Sequence, residues 1–310
     1  MRLRVLSRAD VERALDPDAL VEALALAFAA LSAGRASMPP RTGVEVPGHG
    51  TVLLMGAHVH DAPTVAAKLV SLFPGHDPAH QAVIVVFEAA TGTPVALMDG
   101  DAITAARTAA GSRLATRLLA RGDAAVLAIV GTGVQGEAHV RALLRERDWA
   151  EVRIAGRRPE AARALADRLG VSASASIEAA VRGADVVCTA TPATEPVLRR
   201  EWLAPGAHVN SVGYATSGRE LDADTVRDAL IVVESRESAL APPPSGSGDL
   251  EGAQVHAELG EIVAGTRPGR SDPDELTLYK SVGVGVEDDA AAALALRGAE
   301  ERGLGTVVVL

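Results

Sequence analysis

Residues 124–136 read Ala124-Ala125-Val126-Leu127-Ala128-Ile129-Val130-Gly131-Thr132-Gly133-Val134-Gln135-Gly136. An unbroken apolar run of strand length ends in a G-x-G-x-x-G turn. A helical pattern follows at once, with Val140, Leu143 and Leu144 apolar and Arg141, Arg145, Glu146 and Arg147 polar. Each glycine has its own task. Gly131 makes the tight turn, Gly133 lets a pyrophosphate approach the backbone, and Gly136 lets the helix pack closely on the strand. The helix that opens with Val134 and Gln135 offers free N–H groups and a positive dipole end to the phosphates. A second strand, Val152-Arg153-Ile154-Ala155, follows at the right distance. The stretch predicts a Rossmann dinucleotide site.

Beyond this unit the strand–helix alternation continues, with strands at 186–189, 209–211 and 230–233, which predicts a parallel sheet. Residues 241–248 are rich in Pro, Gly and Ser and read as a surface loop. Upstream the pattern differs. Asp16-Pro17 reads as an N-cap with proline at the first helical position, and Leu20, Val21, Leu24, Phe28 and Leu31 form an apolar stripe closed by Gly34. Short strand-like runs at 44–46, 52–55, 65–72 and 83–87 follow, separated by turn signals. A helical segment, 101–120, joins this region to the nucleotide domain. A last helix, about 289–302, and a final strand, 306–310, are expected to return to the first region.

The fold expected is therefore α/β. A doubly wound Rossmann domain over 114–288 is joined to a smaller α+β domain built from 1–113 and the tail 289–310. The 310 residues allow about two domains and an ample core. Aromatic residues are only 2%, so that core must be Ala, Val and Leu. A formal charge of −10 argues against a nucleic-acid partner, which needs clustered Lys and Arg. No apolar run of about 18 residues predicts a membrane span, and the start of the chain lacks the apolar core of a signal peptide. A soluble, cytoplasmic protein is expected. Cys188, the single cysteine, reads as a core residue. The pairs His58/His60 and His76/His80 come without a third ligand, so no metal site is expected.

An NAD-specific site holds the ribose 2′-hydroxyl with an acidic residue at the end of the second strand. Here that strand ends Ala155-Gly156-Arg157-Arg158-Pro159. Arginine suits a 2′-phosphate in geometry and charge, which favours NADP(H) and leaves NAD(H) open. Three cations stand upstream: Arg41 after Pro39-Pro40, Lys68 within an apolar run, and Arg107 in Thr104-Ala105-Ala106-Arg107-Thr108. Taken singly, each reads as a solvated surface charge; Lys68 is the exception in needing a partner or water.

Taken together these stretches resemble the ornithine cyclodeaminase/mu-crystallin family. The resemblance rests on Pro39-Pro40-Arg41, Lys68, Thr91-Gly92-Thr93-Pro94, Met98-Asp99-Gly100, Arg107-Thr108-Ala109-Ala110, the glycine turn with His139, Thr189-Ala190-Thr191-Pro192, Glu220-Leu221 and Ser281-Val282-Gly283. It implies a homodimer in which Arg41, Lys68 and Arg107 hold the α-carboxylate of a small amino or cyclic imino acid. It implies that Arg107 and Thr108 also border the cofactor, that Thr189 and Thr191 line its ribose side, and that Val212, Gly213, Ser281 and Gly283 sit near the nicotinamide. Lys68 and Tyr214 are the candidates for catalytic proton handling.

One departure matters. Family members that cyclise ornithine carry an aspartate shortly after the Val-Gly pair, and no carboxylate lies between Gly213 and Glu220 here. Glu220 itself is expected to be structural, at a helix start. The resemblance therefore implies hydride transfer between a nicotinamide and a carboxylate-clamped C=N carbon. The alternatives are an ornithine cyclodeaminase that releases proline and ammonia, and a non-catalytic binder of NADPH or another ligand.

Overall fold

The computed structural model describes residues 1–214, 217–242 and 245–310. The chain divides into two units, Met1–Arg107 with Gly283–Leu310, and Thr108–Val282. The sequence pattern placed these divisions at 113/114 and 288/289. The first division falls inside one continuous helix, Gly100–Leu119, which has no break in composition to mark it.

In the second unit the strands pair only in parallel, and all but the two-residue strands at 172–173 and 257–258 carry Val, Ile or Thr. Their order is 172–173, 151–155, 126–130, 186–189, 208–211, 277–280, 230–233 and 257–258. The chain runs outward from the 126–130 strand and then crosses back to its other side at 186–189, so the order reverses there. This is a doubly wound sheet, and alternate side chains show why. Leu127 and Ile129 join Cys188, Val140 and Leu165 in one apolar layer. Ala128 and Val130 join Val187, Val209, Ile231 and Leu278 in the other. Burial among these groups pushes the Cys188 thiol well above its ordinary pKa. The Rossmann expectation holds.

In the first unit the strand order is 306–309, 2–6, 94–99, 80–88, 64–72, 50–59 and 36–37, with 42–46 also paired to 50–59. The terminal strand lies antiparallel to the first. The period of two sorts the faces: Leu53, Met55, Ala66, Lys68, Ile84 and Val86 are buried, whereas Leu54, Leu69 and Val83, in register across three strands, are 38–42% exposed. The buried face packs against the helix Gly285–Arg302, which also packs on Pro17–Ser32. Asp16 caps the latter helix through the Asp18 and Ala19 N–H groups, with Pro17 at its first turn.

The Gly285–Arg302 helix begins four residues before the expected start. Gly285 and Val286 are poor helix formers and hide the beginning. The Glu287 carboxylate accepts the Val284 N–H at 2.7 Å and closes the first turn. Within 241–248, Pro243 and Pro244 lie outside the described residues. The rest is not simply a surface loop, because Gly246 is buried where a side chain would strike the Ala241 carbonyl.

Candidate active site

The glycine turn is shaped as its motif requires. Gly131 has φ +132°, and a Cβ there would lie 2.4 Å from the Ala190 carbonyl oxygen across the point where strand order reverses. A Cβ on Gly136 would lie 2.2 Å from the Gly131 oxygen, so helix and strand are in direct contact. Around Gly133 the opposite holds, with nothing within 4 Å of that position. Gly133 is also the N-cap of the helix Val134–Leu144 and carries no side-chain cap, which leaves its first N–H groups to a ligand. A diphosphate fits this open cradle at the carboxyl end of the sheet. The second strand ends against it, because a Cβ on Gly156 would be 3.0 Å from the Thr132 methyl group. Arg157 and Arg158 follow, both exposed, and Arg158 is the N-cap of the helix Pro159–Leu169.

Farther along the same edge, the ends of strands 186–189 and 208–211 converge on one carboxylate. Glu220 accepts from Thr189 Oγ1 (2.7 Å), Thr191 N (2.9 Å), Thr191 Oγ1 (2.7 Å), Ser211 Oγ (2.8 Å) and Gly213 N (3.1 Å). Glu220 is therefore no helix start. The next helix begins at Ala223 under an Asp222 cap, and Glu220 is drawn inward because five donors from separate segments satisfy its charge. The hydroxyls of Thr189 and Thr191 are both spent on it. Val212 N donates to the Thr189 carbonyl, and Gly213 has no room for a side chain, since a Cβ would lie 2.3 Å from Glu220 Oε1. Ser281 Oγ donates to the buried Glu234 at 2.6 Å. Tyr214 lines a small polar cavity with Glu220, Asp249, Lys280 and Ser281. Ala215 and Thr216 of this loop lie outside the described residues.

The three cations gather in the first unit. Lys68 points to the buried face of its strand and meets Asp288 Oδ2 at 2.6 Å and Thr104 Oγ1 at 3.4 Å. Arg107, one helical turn beyond Thr104, reaches Glu287 Oε2 at 2.8 Å and Asp288 Oδ1 at 3.3 Å. Arg41 donates to the Gly283 carbonyl, and a Cβ on Gly283 would stand 2.6 Å from Arg107 Nη2. Lys68 and Arg107 are thus buried (3% and 5% exposed) and are not the surface charges they resemble singly. Burial lowers the Lys68 pKa from 10.5 to about 8; Asp288 opposes the shift and Arg107 adds to it. Three cations against Glu287 and Asp288 leave one positive charge in this group of five, which suits a monoanion.

Glu287 and Asp288 escaped the sequence reading because they fall in the first turn of a helix whose start was hidden. Asp249 and Lys280 carry no spacing signal, being single charged residues beside apolar stretches, and the structural role expected of Glu220 gives no hint of its five donors. Among the described residues no group of His, Cys, Asp and Glu is arranged to hold a metal. His58 Nδ1 bonds the Thr64 carbonyl and His60 Nε2 lies 3.2 Å from Ser37 Oγ.

The profile of the ornithine cyclodeaminase/mu-crystallin family matches residues 1–302. The chain belongs to that family. Mouse ketimine reductase mu-crystallin is 41% identical to it over 269 residues, spanning 84% of this chain and 85% of the mouse protein. The structure of Thermococcus litoralis Δ1-pyrroline-2-carboxylate reductase in complex with NADH and L-proline superposes with a TM-score of 0.92 at 37% identity, covering 98% of this chain and all of that one. An archaeal alanine dehydrogenase dimer with bound NAD also gives 0.92, at 30% identity and full coverage of both chains.

Proposed function

We propose that this family member is an NAD(P)-dependent oxidoreductase. It transfers a hydride between a nicotinamide and the α-carbon of a small imino or amino acid, with proline-like cyclic ketimines as the substrate class. The observation that carries this is the convergence of Arg41, Lys68 and Arg107, from three distant segments, around Gly283 and Asp288. A carboxylate entering this group gains charge-assisted hydrogen bonds of roughly 1.5–3 kcal/mol each. Holding that group fixes the adjacent carbon, which is the main service a protein gives to hydride chemistry. Lys68, mostly protonated at neutral pH with a pKa of about 8, is suited to carry the proton that imine reduction takes up. The dinucleotide, seated on the 131–136 turn, supplies the hydride.

Arg157 and Arg158, where an acidic residue would select NAD, support NADP(H) as the preferred cofactor. The relatives in complex with NADH and NAD keep NAD(H) within reach. The uncovered sheet face bearing Leu54, Leu69, Val83 and the 60%-exposed Val44 supports a homodimer, as does the dimeric archaeal relative. No helix among the described residues is long and apolar enough to cross a membrane.

Ornithine cyclisation is the rival reading. It needs a base at the substrate amine, and Glu220, the carboxylate that ends the loop, is already filled by five donors. The test is to supply Δ1-pyrroline-2-carboxylate with NADPH or NADH and follow absorbance of the reduced cofactor, then to supply ornithine and assay ammonia. Cofactor oxidation, faster with NADPH, is expected. Ammonia and proline from ornithine without net cofactor turnover would replace this reading with the lyase, and a clear preference for NADH would remove the phosphate role of the two arginines.

A further inference from the structure

Lys280 ends the central strand Thr277–Lys280 and is 1% exposed. Its ammonium spends all three N–H groups, on Asp249 Oδ2 (2.8 Å), Ser211 Oγ (3.0 Å) and the Gly213 carbonyl (3.1 Å). Asp249, also buried, accepts the Glu220 N–H (2.7 Å) and the Leu221 N–H (3.0 Å) through Oδ1. Burial alone would raise the Asp249 carboxyl, but Lys280 and these two N–H groups outweigh it and hold the pKa below the ordinary carboxylate range. One ion pair therefore grips both ends of the loop that runs from Gly213 to Glu220. The Glu220 carboxylate, returning to Gly213 N, ties the neck shut.

A buried ion pair is a poor way to add stability, since apolar residues of equal volume commonly do as well. What it offers is direction: bonds of fixed geometry hold the Gly213 carbonyl and the Glu220 and Leu221 N–H groups in one arrangement. The location gives that arrangement a use. A doubly wound sheet binds one mononucleotide on each side of the point where strand order reverses. The second strand, with Gly156 and Arg157, takes the adenosine side. The ends of strands 186–189, 208–211 and 277–280 then face the other half.

We propose that Lys280 and Asp249 are positioning residues that hold Gly213 and Glu220 in place for the nicotinamide half of the dinucleotide, without touching the ligand themselves. The inference rests on the oxidoreductase reading above. It predicts a selective loss, because the adenosine half depends on the 131–136 turn and not on this pair.

The experiment compares Lys280→Met and the milder Asp249→Asn, which keeps volume and an acceptor for Glu220 and Leu221, with the unaltered protein. Affinities for NADPH, NADH and ADP-ribose are measured by titration calorimetry, alongside thermal melting. Both variants should bind the preferred dinucleotide about tenfold or more weakly, with ADP-ribose affinity held within about twofold. Equal losses for both ligands, unfolding of both variants, or unchanged dinucleotide affinity would overturn the proposal and leave the pair as scaffold. An unaltered protein that binds ADP-ribose but neither dinucleotide, or none of the three, would remove the underlying reading and this inference with it.

Discussion

Raising the pH through the titration of Lys68 should weaken carboxylate binding. Burial sets the pKa of this ammonium at about 8, with Asp288 at 2.6 Å pulling it up. Below pH 7 the cation is intact; at pH 9.5 only about 3% of it remains protonated in the free protein. Losing one charge-assisted bond of about 1.5–3 kcal/mol weakens binding by roughly 10- to 150-fold, at 1.36 kcal/mol per decade. The probe should be a carboxylate with no basic nitrogen, such as cyclopentanecarboxylate, whose own charge is constant across this range. With saturating dinucleotide present, its Kd should be flat to about pH 7, rise through the pKa, and level off one to two units higher, because the ligand holds the proton on. Asp288→Asn removes a charge that raises the Lys68 pKa, so the rise should begin at lower pH. Lys68→Met should bind weakly at every pH. A Kd independent of pH up to 9.5 in the unaltered protein, or an onset moved upward by Asp288→Asn, would refute a role for Lys68 in the clamp.

Two further outcomes follow from neighbouring residues. Burial raises the Asp289 carboxyl from 3.8 to about 6, against hydrogen bonds from Val59 N and Thr64 Oγ1. A carboxyl with a raised folded pKa loses stability as pH climbs from the unfolded to the folded value and keeps that penalty above it. Asp289→Asn should therefore raise Tm at pH 7.5 and leave it nearly unchanged at pH 4; equal shifts at both pH values would contradict the ionic origin. At Gly283, φ is +71° and a Cβ would press on the Arg107 guanidinium. Gly283→Ala should cost about 1–2 kcal/mol from the left-handed backbone alone. Displacement of Arg107 should lower carboxylate affinity further, while ADP-ribose binding stays constant; unaltered carboxylate affinity would show that Arg107 does not hold that group.

Patterns of local origin were legible in the chain. The 124–136 stretch specifies a strand, a turn and a helix through backbone rules that act within a dozen residues, and the structure has them at those positions. Asp16-Pro17 and the strand-like run at 65–72 are of the same kind. The resemblance groups Arg41, Lys68 and Arg107, whereas spacing alone leaves Arg41 and Arg107 as surface charges and marks Lys68 only as needing a partner or water.

What waited for the tertiary structure was the placement of charge. The burial of Lys68 and Arg107, their sharing of Asp288, and the five donors that fill Glu220 all depend on segments separated by tens to hundreds of residues. No period in the sequence encodes such meetings, because a lone carboxylate or ammonium looks the same whether water or a folded neighbour satisfies it. The chain by itself determined the strand–turn–helix unit at 124–144 with its open glycine turn, and the capped helix that begins at Pro17. Only the packed fold decided which charged groups lose their water, and so which of them acquire partners and altered proton affinity.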